Sequence, residues 1–94
     1  MEDLNNKLKR YFKITKKALN KIKINAELDL TLKKSAEDIL DLAKRYYEDA
    51  EYFDKKGDKV NAFGAVVYSH AFLDIGARLS LFDVDDDELF MVEK

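Results

Sequence analysis

Residues 43–58 read AKRYYEDAEYFDKKGD, and they decide the fold. Ala43, Tyr46, Ala50 and Phe53 recur at steps of three and four, the spacing of one helix face. Lys55 and Lys56 then put positive charge at a helix carboxyl end, and Gly57 suits the left-handed conformation that closes a helix. Asp58 follows at once as an N-cap for a new helix. A connection this short forces the two helices into an antiparallel hairpin.

Working upstream, the series Leu32, Ala36, Ile39, Ala43, Tyr46, Ala50, Phe53 forms a heptad-like seam, widened by Leu40 and Tyr47. It predicts a second helix over about 31–56, capped at either Asp29 or Ser35. Downstream, a third helix is predicted over about 58–81. Its apolar residues, among them Ala62, Val66, Tyr68, Phe72, Leu73, Ile75 and Leu79, span an arc of about 220°. A helix with so wide an arc contacts two neighbours, so the third helix is expected at the centre of the bundle. Gly64 and Gly76 lie inside it, where close approach of another backbone would explain them. Its remaining arc carries His70, Asp74 and Arg78 at four-residue steps, with Phe63, Val67 and Leu81 beside them. This mixed line is expected to face outward.

Leu4, Leu8, Tyr11, Thr15, Ala18 and Ile22 predict a first helix over about 3–24, stopped near Asn25. The fold expected is all-α: a three-helix up-and-down bundle forming one domain over 1–94. The tail, 83–94, is an acidic turn followed by the apolar Leu89-Phe90-Met91-Val92, expected to dock on the bundle.

Composition agrees with this reading. Of 94 residues, 47% are hydrophobic and 38% charged, with no proline to interrupt a helix. The absence of cysteine excludes disulfides, thiolate metal sites and cysteine nucleophiles. No apolar run approaches the roughly 20 residues of a membrane span, and no signal-peptide core follows Met1. A soluble, cytoplasmic protein without membrane contact is expected. The net charge of −2 hides an asymmetry. Residues 1–34 hold ten Lys/Arg against four Asp/Glu, and residues 35–94 hold seven against fifteen. Charge complementarity within the bundle accounts for this better than a nucleic-acid surface, because the lysines of the first helix surround it instead of forming one stripe.

Motifs for chemistry are sparse. Asp83, Asp85 and Asp87 match positions 1, 3 and 5 of a calcium loop, but Glu88 stands where glycine is needed and Lys94 where glutamate is needed. His70 and Asp74 provide an imidazole and a carboxylate on one helix face, with no nucleophile beside them. No metal and no cofactor are expected.

The residues from Ala43 to Ala50, with Tyr52-Phe53, Gly57-Asp58, Ala62-Phe63, Tyr68 to Asp74 and Arg78-Leu79, also resemble an archaeal family of short proteins, domain of unknown function 357. The resemblance covers the second and third helices, roughly half the chain. It implies a cytoplasmic three-helix bundle and no assigned activity. A looser likeness, to helical domains of prokaryotic toxins, rests on the Gly57-Asp58 hairpin. Its RNase members place a His shortly after an Arg on a late helix, whereas here Arg78 follows His70.

Three functions are therefore expected, in this order. The first is a non-catalytic interaction or self-association module, binding a second copy or another protein through Phe63, Val67, His70, Asp74 and Arg78, with Tyr46 and Asp49 nearby. The second is nucleic-acid binding through the basic first helix. The third is a small-ligand or enzymatic site around His70, Asp74 and Arg78, reached by Tyr46 or Asp49.

Overall fold

The computed structural model describes residues 3–84 of the chain. Three helices follow one another: α1 (Leu4–Lys21), α2 (Leu30–Lys55) and α3 (Lys59–Arg78). Each begins on an aspartate. The Asp3 side chain accepts from the Asn6 N–H, Asp29 from Leu32 and Asp58 from Asn61, at 2.8, 2.9 and 3.2 Å. Of the two candidate caps for α2, Asp29 therefore serves. Ser35 lies one turn inside, where its hydroxyl donates to the Thr31 carbonyl.

The exit from α2 is the one its lysine pair and glycine predict. Gly57 adopts φ +79°. The Gly57 N–H then reaches the Asp54 carbonyl and the Asp58 N–H the Phe53 carbonyl, which satisfies two of the last open acceptors.

The other two helix ends fall short of the sequence reading. α3 stops at Arg78 and not at 81, because Ser80 takes φ +61° and repeats the same two-bond closure onto Ala77 and Gly76. A serine in this region costs roughly 1–2 kcal/mol, so the sequence carries no signal for it. α1 stops at Lys21 and not at 24. Ile22 is extended, and Ile24 forms an antiparallel bridge with Phe82. The Asn25 N–H donates to the Leu81 carbonyl at 2.9 Å, and the Asp83 N–H donates to that of Lys23 at 2.7 Å. The chain leaving α1 and the chain leaving α3 are thus tied together. The expected docking of Leu89–Val92 lies outside the described residues, as do Asp85 and Asp87.

α3 packs along both other helices, whereas α1 and α2 approach each other less closely and meet through side chains such as Phe12 and Tyr47. The α2–α3 contact is built from small residues. Ala36, Ala43 and Ala50, seven apart, have no exposed surface, and Ala62, Ala65, Ser69, Gly76 and Ala77 are their buried counterparts on α3. Small side chains let two helix backbones come close along many turns.

Two apolar clusters result. One gathers Ala18, Ala36, Ala43, Leu73, Ala77, Leu81 and Phe82 at the end where the α1 and α3 exits meet. The other gathers Leu8, Ala50, Ala62, Ala65 and Val66 near the hairpin turn, with Tyr47 packed against it. Burial, and secondarily the Glu51 carboxylate, push the Tyr47 pKa above its ordinary 10.0. The folded chain therefore holds this proton more tightly than the unfolded chain does. The resulting stability is whole below pH 10 and is lost as the pH rises past it. Tyr47→Phe is expected to flatten that loss, measured as urea midpoints between about pH 9 and about pH 11.

Candidate functional site

Between the two clusters lies a belt of buried polar side chains, Thr15, Ser69 and His70. The Ser69 hydroxyl donates to the Ala43 carbonyl at 2.6 Å. Thr15 Oγ1 pairs with His70 Nδ1 at 3.1 Å, the His70 ring meets the Tyr11 ring edge-on, and His70 Nε2 lies 3.6 Å from the Asp74 carboxylate. The His70–Asp74 line therefore faces α1 and not solvent. Phe63 joins it, stacked edge-to-face with Tyr11 at 5.4 Å.

A hydroxyl, an imidazole and a carboxylate in a row suggest nucleophilic chemistry, and α1 supplies the hydroxyl that the face of α3 lacks. The arrangement does not present it to a substrate. Thr15 has no exposed surface, and an attacking oxygen needs an open approach. Tyr46 stacks on Tyr68 and Phe72, on a different flank of α3, so it does not join His70. The belt instead holds α1 in register on α3. Thr15→Val, close in shape, removes the partner of a buried ring nitrogen and is expected to cost about 1–3 kcal/mol. Thr15→Ser should retain most of it; urea midpoints of the two proteins provide the comparison.

The surface α3 does present is a different one. Val60, Gly64, Tyr68, Ala71, Ile75 and Leu79 share an arc of about 100°. Val60 is 71% exposed, Tyr68 60%, Ile75 50% and Leu79 62%. The sequence reading places Tyr68, Ile75 and Leu79 inward and His70 outward, so the helix is turned by most of a quadrant from that expectation. The reason is the small-residue seam. Counting large apolar residues points to the wrong face when alanine, serine and glycine make the closest contact.

The other candidate residues lie on both helices of the hairpin. Val67 is half-buried on α3, Tyr46 is half-buried on α2, and Asp49 and Arg78 are exposed. Gly64 sits in the middle of the face, and a Cβ added there would meet nothing within 4 Å. A helix-interior glycine costs about 1 kcal/mol relative to alanine, and among the described residues no neighbour requires this one. Gly76 differs: a Cβ there would overlap the Phe82 ring.

Elsewhere, a cleft of about 300 Å³ opens beside Leu8, Lys9 and Phe12, where Asp54 and Lys59 satisfy each other at 2.5 Å. Among the described residues, no group of three potential metal-ligating side chains converges. Nor is any helix among them long and apolar enough to cross a membrane.

A family model described as a protein of unknown function, DUF357, matches residues 10–82. The chain belongs to the DUF357 family. No curated protein and no solved structure matches it. The DUF357 match runs from Arg10 in α1 to Phe82, so it takes in the polar belt, the α2–α3 seam, the bridge at Ile24 and the exposed face of α3. The resemblance read from the hairpin alone covers less of the chain than the DUF357 match does.

Two features of this DUF357 chain escape sequence reasoning. Thr15 as the partner of His70 is non-local, 55 residues away, and carries no local signal. The exposed face does leave a signal, which is Gly64 in a helix interior with no close neighbour among the described residues.

Proposed function

We propose that the protein is a non-catalytic interaction module that binds through the exposed apolar face of α3. The observation that carries this reading is the distribution of apolar side chains around the whole circumference of α3. A helix of that kind is normally buried on all sides. Here two sides are covered by α1 and α2, and among the described residues nothing covers the third. The aromatic stack of Tyr46, Tyr68 and Phe72 gives the open side a rigid edge, of the sort that anchors protein contacts. Val67 and Tyr46 border it and Arg78 lies at its end, while Phe63, His70 and Asp74 serve the packing of α1.

A photo-crosslinking side chain placed at Tyr68 tests the reading, with the same group at Arg45 as the control. Arg45 is exposed on α2 and pairs with Asp41. Crosslinks to protein from position 68 and not from position 45 are expected. Equal yields, or none from either position in the cells that make the protein, would sink the proposal.

A further inference from the structure

We propose that the occupant of this face is a second copy of the chain, its α3 laid antiparallel across the first about a two-fold axis. The inference rests on the reading of the α3 face as a binding surface and names its partner.

In a two-fold interface, whenever one residue meets a second, the second meets the first. The exposed face obeys that condition about a point midway between positions 69 and 70. Val60 then lies opposite Leu79 of the other copy, Gly64 opposite Ile75, and Tyr68 opposite Ala71. The two inner pairs each set a large side chain against a small one, as interdigitating helices require. The two exposed polar residues of the face, Asn61 and Arg78, sit at its ends. A parallel arrangement would instead set Tyr68 against Tyr68 and leave Gly64 facing Gly64.

The surroundings of Gly64 add to this pairing. Among the described residues the space above Gly64 is open. In the antiparallel pair, the Ile75 side chain of the other copy fills that space. Two α2–α3 hairpins placed back to back on this axis form a four-helix core, and α3 becomes buried on every side.

The face measures about 28 Å by about 12 Å, from the rise and diameter of a 20-residue helix. That is small beside the roughly 800 Å² per partner of a standard stable interface. Association is accordingly concentration-dependent, and the test spans a wide range.

Two measurements decide it. Light scattering behind a sizing column should show the mass rising from 10.9 kDa toward twice that value with concentration. Gly64→Val, which fills the open space, should weaken dimerisation at least tenfold, and adding Ile75→Ala should restore most of the loss. Helix content by circular dichroism checks that both variants fold, as their solvent-facing positions lead one to expect.

The second measurement uses the absence of cysteine. Val60→Cys protein mixed with Leu79→Cys protein should oxidise to a disulfide-linked heterodimer, while neither protein alone should crosslink efficiently. Ready homodimers of Val60→Cys would overturn the antiparallel arrangement. A monomer at every concentration, with position 68 crosslinking to a different protein, would overturn self-pairing and leave the binding face standing. A monomer with no crosslink from position 68 would remove both.

Discussion

Phe82→Ala is expected to cost about 3–5 kcal/mol, the range for removing a buried aromatic ring. Phe82 is almost wholly buried and lies beyond the last helix, where a sequence reading assigns little weight. Its ring sits on Gly76, its backbone bridges Ile24, and its N–H reaches the Gly76 carbonyl. Losing the ring opens a cavity at the end of one core cluster and releases the extended segment that follows α1. The companion change approaches the same contact from the other side. Gly76→Ala places a methyl group inside the ring and is expected to cost about 1–3 kcal/mol by overpacking. Because the two sites touch, Gly76→Ala combined with Phe82→Leu should cost less than the separate changes added together. Urea titrations followed by circular dichroism measure all four proteins. Losses that simply add would show that the ring and the glycine do not form one contact.

Leu73→Ala should fall near the top of the 2–5 kcal/mol range for such truncations, roughly 4–5 kcal/mol. Leu73 is fully buried, and it shares its cluster with four alanines, Ala18, Ala36, Ala43 and Ala77, and with Leu81 and Phe82. The cost of a truncation depends on how far its surroundings collapse into the space left behind. Alanine has no side chain to swing inward, and the helix backbones that carry these alanines are held apart by their other contacts. A cavity lined only by long, flexible side chains relaxes more readily than one whose walls include four alanines. A loss below about 1.5 kcal/mol, at the level of a volume-conserving swap, would mean that α1 or α2 shifts to close the gap. Val66→Ala, in the second cluster beside the larger Tyr11, Phe12 and Tyr47, is the useful contrast and should cost less.

The main elements of this bundle are legible in the sequence. The step of three and four through Leu32 to Phe53, the Lys55-Lys56-Gly57 stop and the Asp58 start are local features. Local features are what propensity, capping and the left-handed tolerance of glycine act upon. They determined three helices, a tight antiparallel turn and the central place of α3. The ends of α1 and α3 were not legible. Ser80 in a left-handed conformation and Ile22 in an extended one are held there by contacts among Phe82, Asn25 and Asp83, which join segments distant in sequence. The orientation of α3 about its own axis was also decided only by tertiary structure. The α2 seam of Ala36, Ala43 and Ala50 admits the small side of α3 more closely than its large side, and the gain from close packing outweighs that of burying Tyr68, Ile75 and Leu79 within one chain. The sequence by itself therefore determined which helices form and in what order. Only packing decided which face of the third helix was left exposed.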